Sequence, residues 1–374
     1  MEVKIITRHA IANFGSILQS IATSSYFEAK GYNTQIIDYI SKDEMPFRNT
    51  LNFLKNNKKW NSNIFKKIIY FVLKYPEQIL LYHYYNGIRK KLLKLTRRYN
   101  STKKLERANF GECILCAGSD QLWGPMPNGK LDYNYFLRFN SSLPKISFSS
   151  SIGRLSSSID DVKDDLKAFS LITTREESAA KKINELIGDK AFSILDPTLM
   201  IGSEFWKKEI SNYKRIVNEK YILVYKLHSN SDFDKYINSF SIKTGIKVVY
   251  VSPSLSTIME KGKKYCLIHP YKFLSLIRDA EFVLTDSFHG TCFSLLFNKQ
   301  FFSFLPKVTS TRIKELLKCV GLEFRIINND NYDEKSYIDY IDVDKKLNNL
   351  INKYDELYVN ELQNNCNKYF DLNN

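Results

Sequence analysis

Residues 3–40 read VKIITRHAIANFGSILQSIATSSYFEAKGYNTQIIDYI, and this stretch predicts the fold class. The apolar run VKIIT predicts a strand, GSILQSIATSSYFEAKG predicts an amphipathic helix that ends at Gly31, and TQIIDYI predicts a second strand. Two strands joined by a helix form a βαβ unit, which requires the strands to run parallel. The chain is therefore expected to begin with an α/β domain built on a parallel sheet.

The same alternation of strands and helices continues along most of the chain. A basic segment, expected to be helical, separates TQIIDYI from the following patterns CILCAG, KISFSS, FSLITT, REESAAKKINELIG and FSILD. The stretch PTLMIGSEFWKKEISNYKRIVNEK has no strand signal, and a second alternation starts after it at YILVYKL. We therefore predict two Rossmann-like domains that face a cleft. Residues 1–205 form the first, with the basic helical insertion at about 51–104, and residues 206–374 form the second, with a helical tail.

Length and composition narrow the class of protein. A chain of 374 residues is too long for one typical hydrophobic core, which favours two domains. Its mean hydropathy of −0.32 is that of a soluble globular protein. It has no apolar run of about 18 residues, and MEVKIITRHA lacks the apolar stretch of a signal peptide. These features predict a cytoplasmic protein.

The six cysteines favour neither a metal site nor a redox site. Cys113 and Cys116 form a C-x-x-C pair in ECILCAGSD, inside an apolar strand pattern where residues three apart face opposite sides. No second Cys pair or His pair completes a zinc set. We predict buried free thiols, with metal or redox chemistry at this pair as the alternative, and neither a metal nor a cofactor in the protein.

Nearly all of the net charge of +15 lies in the insertion. Residues 51–104 contain 14 Lys or Arg and one acid, Glu77, which leaves a local charge of +13. Such a surface could attract nucleic acid, an anionic membrane or a phosphorylated ligand, whereas the plain alternative is a pair of helices with a solvated basic face. Nucleic acid fits poorly, because the chain has no helix-turn-helix, zinc-finger or RNA-binding signature.

Four segments fit the place where doubly wound sheets bind ligands, beyond the carboxyl ends of strands and at helix N-termini. In NFGSILQ, Gly15 and Ser16 open the first helix and could present N–H groups to an anion, although an ordinary capped helix explains them as well. In AGSDQLWGP, Asp120 could act as a base or orient a sugar hydroxyl, with a plain Asp turn as the alternative. Gln121 and Trp123 in the same segment suit a polar, ring-shaped ligand.

The third segment is TTREES and the fourth is AEFVLTDSFHGTCFSLLF. Arg175 in the third could bind a carboxylate or phosphate through two hydrogen bonds, or it could pair at the surface with Glu176 or Glu177. His289 in the fourth follows a strand that reads as buried and precedes an apolar helix. A histidine there could transfer a proton, and a hydrogen bond within its own loop is the alternative. His228 also follows a strand, but it has no companion in sequence that suggests a role.

Taken together, these motifs resemble the polysaccharide pyruvyl transferase family over roughly residues 3–325. The motifs that carry the resemblance are NFGSILQ, AGSDQLWGP, TTREES with LDPTLM, PYKFLSLIRDAEFVLTDSFHGTCFS and STRIKELLKCVGLEFR. The resemblance implies a fold similar to the two-domain glycosyltransferase B type and a reaction that uses phosphoenolpyruvate to place a pyruvate ketal across two sugar hydroxyls. It also implies that Arg175 and His289 bind and activate phosphoenolpyruvate and that Asp120 lies near the reacting hydroxyls.

One departure from the family pattern concerns the donor site. Some members have Arg two residues before the motif histidine, whereas this chain has Ser287. We therefore expect another cation, Arg312, to balance the charge of the donor. The expected donor-binding residues are thus Arg175, Ser287, Gly290, Arg312, Gly15 and Ser16, and the expected acceptor-binding residues are Asn13, Gln121 and Trp123.

The residue types suit the implied reaction. Phosphoenolpyruvate carries a carboxylate and a phosphate, which cations and helix N-termini can bind. His289 would protonate its methylene carbon, and Asp120 would assist the sugar hydroxyls as a base. If the acceptor is a lipid-diphosphate-linked oligosaccharide, the basic insertion would hold the enzyme at the cytoplasmic leaflet of the membrane. Two alternatives stay open: a nucleotide-sugar glycosyltransferase of the same fold, and a non-catalytic module that binds anionic polymers.

Overall fold

The computed structural model describes residues 1–126, 128–153, 157–305, 310–327 and 337–366. Contacts divide the chain into two units, one formed by Met1–Pro197 with the chain from Glu356 onward and the other by Thr198–Asp355. Each unit is built on parallel strands connected by helices, which confirms the predicted α/β class.

The first unit contains six short parallel strands: β1 (Glu2–Ile6), β2 (Asn33–Ile36), β3 (Ile114–Ala117), β4 (Lys145–Ser147), β5 (Ile172–Thr174) and β6 (Ala191–Ser193). Four of them form a sheet in the order β2-β1-β3-β4, and β5 pairs with β6. Single parallel bridges join Ile146 to Leu171 and Ser150 to Thr174, so that the β5–β6 pair continues the sheet beyond β4. The strands β3, β4 and β5 are buried along their whole length, as strands covered on both faces require.

The helices of the first unit are α1 (Phe14–Ala29), α2 (Pro46–Asn56), α3 (Ile64–Leu92), α4 (Thr102–Glu106), α5 (Lys163–Lys167) and α6 (Glu177–Ile187), and α7 (Pro197–Met200) follows at the boundary. α2 begins at Pro46, whose missing N–H suits the first helical position. α3 is the longest of these helices and begins after Asn63, whose side chain accepts a hydrogen bond from the N–H of Lys66 at 2.9 Å. In the described part of the chain, none of the helices combines the length and the apolar character that a membrane span requires.

The second unit contains a six-stranded parallel sheet made of β7 (Tyr221–Tyr225), β8 (Lys247–Ser252), β9 (Lys263–Cys266), β10 (Phe282–Thr285), β11 (Gln300–Phe304) and β12 (Ile326–Ile327). Their order is β12-β11-β10-β7-β8-β9. Counted from β7, this is the strand order 3-2-1-4-5-6 of the Rossmann fold. Aromatic side chains fill one face of the sheet, where the rings of Phe233 and Phe304 stack with their centroids 3.9 Å apart.

The helices of the second unit are α8 (Gly202–Glu209), α9 (Ser231–Thr244), α10 (Pro270–Asp279), α11 (Phe288–Leu296), α12 (Ser310–Val320) and the first part of α13 (Tyr340–Cys366). The end of α13 belongs to the first unit, because the ring of Tyr358 packs against those of Phe148 and Tyr26 at centroid distances of 4.8 and 6.0 Å. This division differs from the predicted one, which placed residues 206–374 in the second domain and residues up to 205 in the first.

The cysteine pair is buried and reduced. Cys113 and Cys116 are free thiols, and both side chains are buried in the first unit, as the strand pattern predicts. Burial raises the pKa of the Cys113 thiol to about 11, so that it stays protonated at neutral pH. Among the described residues, no group of three or more His, Cys, Asp or Glu is arranged to hold a metal ion.

Candidate active site

The predicted site residues fall into two groups, one in each unit. In the first unit the strand order reverses between β1 and β3, since the chain runs from β1 to β2 on one side and then crosses to β3 on the other. Ligands of doubly wound sheets bind at the carboxyl ends of the strands at such a switch point. Thr7 directly follows β1, and its hydroxyl donates to the carbonyl of Ser119, just beyond β3, at 2.7 Å. The segments around α1 and after β3 therefore meet at this end of the sheet.

Asp120 holds a strained backbone conformation at the switch point. Its φ is +91°, in a region that favours glycine. One carboxylate oxygen accepts a hydrogen bond from the hydroxyl of Ser16 at 2.6 Å, and the other accepts from the N–H of Gln121 at 2.7 Å. The residue is only 9% exposed. A strained, buried and hydrogen-bonded carboxylate at this position is typical of a functional residue, and it joins two of the predicted motifs.

Arg175 is buried in an ion pair rather than exposed at the surface. Its Nη2 lies 3.0 Å from Oδ2 of Asp196 and also donates to Oγ of Ser119. The Asp196 side chain is itself fully buried and also accepts from the Ser119 hydroxyl at 3.2 Å. The predicted alternative, a surface pairing with Glu176 or Glu177, is wrong because Arg175 is buried. Glu176 is buried as well and accepts from the hydroxyl of Ser151 at 2.6 Å. The structure thus brings AGSDQLWGP, TTREES and LDPTLM together through side-chain contacts.

The start of α1 is a capped helix. The side chain of Asn13 accepts a hydrogen bond from the N–H of Gly15 at 2.8 Å, which is the ordinary capping arrangement. Gln19, one turn further along, donates to the Thr7 hydroxyl at 2.8 Å and fixes α1 to the end of β1. Capping accounts for Asn13 and Gly15 without a ligand, whereas Ser16 contacts Asp120 directly. The ligand roles of Asn13 and Gly15 stay predictions.

Trp123 lies in the hydrophobic core, which contradicts its predicted acceptor role. Its indole N–H donates to the carbonyl of Tyr135 at 3.1 Å, and its ring stacks on Phe136 at a centroid distance of 5.6 Å. The side chain is enclosed by core residues of the first unit, so it presents no ring face to a sugar. Gln121 is half-buried and packs against Gly153, where a Cβ would approach its side chain to 3.0 Å.

In the second unit the strand order reverses between β7 and β10. The hydroxyl of Thr285, the last residue of β10, donates to the carbonyl of Tyr225, the last residue of β7, at 2.8 Å. The segment TDSFHG begins at this point and leads directly into α11. The fourth predicted segment therefore lies at the switch point of its sheet, where the Rossmann order places ligands.

His289 lies in the first turn of α11. Ser287 is the N-cap, and its Oγ accepts a hydrogen bond from the N–H of Gly290 at 3.3 Å. A Cβ on Gly290 would overlap Oγ1 of Thr285, so glycine lets α11 pack closely against the end of β10. His289 is buried beside the ring of Phe288, at the positive end of the helix dipole. Capping explains Ser287 and close packing explains Gly290, and the donor contacts of both stay predictions.

Arg312 lies next to this turn. Its guanidinium carbon is 5.4 Å from the centroid of the Phe288 ring, within the range of a cation–π contact. Phe288 is the residue between Ser287 and His289. The cation predicted to replace the missing family arginine is therefore on α12 and packs against the residue that precedes His289.

The sequence patterns did not predict that His228 contacts Asp286 of the fourth segment. Asp286, directly after β10, accepts hydrogen bonds from the backbone N–H groups of Leu227 and His228 at 2.7 and 2.9 Å. Its Oδ2 also lies 3.0 Å from Nδ1 of His228, and this imidazole is more than half exposed. A carboxylate on Nδ1 orients the ring and directs Nε2 outward, the arrangement that proteins use for proton-carrying histidines. His228 therefore joins the candidate site at the same switch point.

Comparison with solved structures identifies the fold. The chain is similar to S. aureus MnaA, solved with UDP, at 10% identity, with 94% of this chain and 88% of that chain covered and a TM-score of 0.52. It is also similar to Methanocaldococcus jannaschii UDP-GlcNAc 2-epimerase, solved with UDP-GlcNAc and UDP, at 15% identity, with 94% and 93% covered and a TM-score of 0.50. No curated protein matched the chain. The likeness shows the fold alone, which consists of two Rossmann-like domains of the glycosyltransferase B type.

A family profile matches the sequence that carries these segments. The profile describes polysaccharide pyruvyl transferases, and it matches residues 13–307. This range contains α1, the segments around Asp120, Arg175 and Asp196, and the turn with His289. The chain belongs to the polysaccharide pyruvyl transferase family.

Proposed function

We propose that the protein transfers pyruvate from phosphoenolpyruvate to a sugar as a ketal that bridges two hydroxyls. The observation that carries the proposal is the position of His289, in the first turn of a helix at the switch point of its sheet and inside the segment that matches the family. A proton donor at the positive end of a helix suits a donor substrate that carries a carboxylate and a phosphate. The proposed donor-binding residues are Arg175, Ser287, Gly290, Arg312, Gly15 and Ser16.

The reaction balances with phosphoenolpyruvate and one diol as the only substrates. One sugar hydroxyl forms a bond to C2 of phosphoenolpyruvate while C3 takes a proton from His289 and becomes a methyl group. The bond from C2 to the phosphate oxygen then breaks, inorganic phosphate leaves, and the second hydroxyl bonds to C2. The two hydroxyls lose two protons, of which one replaces the proton given to C3 and the other leaves with phosphate.

Asp120 is the proposed base for the sugar hydroxyls. Its carboxylate is held by Ser16 and by the N–H of Gln121, and the strained backbone fixes its direction. A base that is positioned by hydrogen bonds loses little entropy when a hydroxyl arrives. Asn13, three residues before the Ser16 that contacts this carboxylate, and Gln121, the residue after Asp120, are the proposed acceptor-binding residues.

The proposed acceptor is a lipid-diphosphate-linked oligosaccharide, an intermediate of a surface polysaccharide. The support for this acceptor is the local charge of +13 in residues 51–104, because a basic surface suits an enzyme that works at an anionic membrane. The enzyme would then act from the cytoplasmic side as a peripheral protein. No metal or cofactor enters the proposed reaction.

The experiment supplies the protein with phosphoenolpyruvate and lipid-linked oligosaccharides. We expect release of inorganic phosphate and, by mass spectrometry, an acceptor that has gained the mass of pyruvate less water. A parallel reaction supplies a nucleotide sugar in place of phosphoenolpyruvate. Release of a nucleoside diphosphate there, without any reaction of phosphoenolpyruvate, would instead assign a glycosyltransferase.

Two histidine variants make the experiment specific. His289→Gln should reduce phosphate release by about 100-fold or more, because the proton for C3 is no longer supplied. His83→Gln is the matched control, since His83 is exposed on α3 and outside the site. A His289→Gln protein that transfers pyruvate at the wild-type rate would refute the role of His289.

A further inference from the structure

The first half of α3 exposes an apolar face. Its members are large apolar side chains that are between 44% and 76% exposed, namely Ile64, Phe65, Ile68, Ile69, Val72 and Leu73. They recur at spacings of three and four residues, so they line one side of the helix. α2 adds Phe47 and Phe53, which are also exposed. We call α2 and α3 the hairpin and these eight side chains its apolar face.

Basic residues cluster at the tip of the hairpin, where α2 ends and α3 begins, next to the first residues of the apolar face. Lys55, Lys58 and Lys59 lie at and beyond the end of α2, and Lys66 and Lys67 lie in the first turn of α3. The one acid in residues 51–104, Glu77, is paired with Lys74 at 2.8 Å. The hairpin thus combines exposed apolar side chains with a high density of positive charge.

The charge indicates what covers this face. An exposed apolar patch that contains eight large side chains marks a binding surface. If two copies of the hairpin covered each other, their positive charges would lie opposite one another and repel, because the one acid of the segment, Glu77, is already paired with Lys74. An anionic lipid surface satisfies both properties, since phosphate headgroups attract the lysines and the acyl boundary takes up the apolar side chains.

The base of the hairpin is fixed to the sheet. Arg89, near the end of α3, is buried and donates to Oδ1 of Asp38 at 2.7 Å, and it also lies 3.0 Å from Nε2 of His9. Arg98 contacts the other oxygen of Asp38 at 3.2 Å. Because His9 and Asp38 follow β1 and β2, these contacts hold the end of α3 at the carboxyl end of the first sheet. Arg89 and Arg98 therefore stabilise the fold, whereas the lysines at the tip of the hairpin are exposed, namely Lys55, Lys58, Lys59 and Lys66.

The two helices also hold each other. The amide of Asn49 on α2 donates to Gln78 on α3 at 3.0 Å. The ring of Phe47 packs edge-on against Phe71 and Tyr75 at centroid distances of 5.4 and 5.9 Å. The hairpin therefore presents its apolar face as a packed element rather than as a single helix.

We infer that the hairpin binds the surface of an anionic lipid bilayer, with the apolar face inserted at the headgroup boundary. The inference deepens the proposed function, since it names the surface at which a lipid-linked acceptor would be met. It stands on the hairpin alone and does not depend on which reaction the protein catalyses. The helix axis lies along the bilayer plane, as in other amphipathic helices that bind without crossing.

The test is cosedimentation of the whole protein with vesicles, in the absence of phosphoenolpyruvate and acceptor. We expect binding to phosphatidylcholine vesicles that contain phosphatidylglycerol, weaker binding to phosphatidylcholine alone, and weaker binding at high salt. Replacing Ile64, Phe65, Ile68 and Val72 by Ser should weaken partitioning by about 100-fold or more, given about tenfold for each fully inserted side chain. These side chains are exposed, so their loss should leave folding intact.

The matched control replaces two apolar residues that are more exposed but lie in the second unit. Ile242 and Met259 are 83% and 90% exposed, and Ile242→Ser with Met259→Ser should bind vesicles as the wild type does. Wild-type binding by the fourfold hairpin variant would overturn the inference. So would a dimer of the wild-type protein that this variant dissociates, because a second copy would then cover the face.

Pyruvyl transfer to a delipidated, water-soluble acceptor separates this inference from the proposed function. The hairpin variant should keep that activity, since none of its four residues belongs to the candidate site. Vesicle binding without any transfer would refute the proposed function alone, and transfer by a protein that never binds vesicles would refute the inference alone.

Discussion

Replacing Asp120 by Asn removes the charge of the carboxylate while keeping its place in the fold. Asn is one of the few residues that tolerate the left-handed conformation, so the φ of +91° can be retained. Its amide oxygen can still accept the hydrogen bond from the N–H of Gln121, which is 2.7 Å from the carboxylate. The bond from the Ser16 hydroxyl remains but is no longer assisted by charge. We therefore expect the free energy of unfolding to fall by about 1 kcal/mol or less.

The effect of the same substitution on catalysis should be much larger. If Asp120 is the base, kcat should fall by about 100- to 10,000-fold, because an amide does not accept the proton of a sugar hydroxyl. That loss corresponds to about 3–5 kcal/mol of transition-state stabilisation. Ser16→Ala gives the opposite contrast, since it keeps the carboxylate and removes a hydrogen bond to it. The free energy of unfolding should fall by about 1.5–3 kcal/mol, and kcat should fall less than it does in Asp120→Asn.

Phosphate release at saturating phosphoenolpyruvate and acceptor, together with urea unfolding of each variant, provides the measurement. Loss of kcat and loss of stability should rank the two variants in opposite order. If Asp120→Asn kept most of the wild-type kcat, Asp120 would be a turn residue that happens to bind Ser16. If Ser16→Ala lost as much activity as Asp120→Asn, the loss would result from a disturbed local structure and not from removal of a catalytic base.

Two further predictions concern buried charges of the first unit. Arg175→Met removes the guanidinium that lies 3.0 Å from the buried Asp196 carboxylate. We expect the free energy of unfolding, measured in urea, to fall by about 3–5 kcal/mol, because the carboxylate is left buried without its partner. An unchanged free energy of unfolding would show that the ion pair does not stabilise the fold. Burial raises the pKa of Asp38, but hydrogen bonds from His9 and Arg89 outweigh burial and hold that pKa below its ordinary value. Asp38 therefore stabilises the fold above the pKa of the unfolded state, about 4, and this contribution is lost as the pH falls below it. Asp38→Asn should flatten the acid side of the profile of unfolding free energy against pH, and a profile as steep as that of the wild type would contradict the assignment.

The regular elements could be predicted from local patterns, although some strands end early. VKIIT and the following helix pattern match β1 and α1 to within a residue or two. TQIIDYI predicts a strand to residue 40, but β2 ends at Ile36, and Asp38 two residues later binds Arg89 and Arg98. From Ile36 onward the chain pairs with residues about 60 positions later, through single bridges from Ile36 to Leu95 and from Tyr39 to Tyr99. The local alternation of apolar residues does not contain such long-range information.

The contacts of the site residues are long-range in the same way. His228 and Asp286 are 58 residues apart, and neither has a neighbour in sequence that suggests the pair. Strand order supplies the missing information, because the first and fourth strands of the Rossmann order lie side by side. Residues that directly follow those two strands then face each other, and this rule would have joined His228 to the TDSFHG segment. For Trp123 no local signal separates a core tryptophan from one that stacks on a sugar, since both occur in an apolar context.

Ser287 caps α11 but carries no positive charge, whereas an arginine at this position would supply the charge and lose the cap. As the N-cap of α11, Ser287 accepts the N–H of Gly290, an interaction worth about 1 kcal/mol to the helix. An arginine has no acceptor for that N–H, so a chain with arginine at this position exchanges the cap for a cation beside the histidine. Here Arg312 on α12 packs against Phe288, one residue from His289. If Arg312 balances the donor, charge balance and proton transfer depend on two different helices. Arg312→Gln and His289→Gln should then affect different steps, with the first raising the KM for phosphoenolpyruvate and the second lowering kcat.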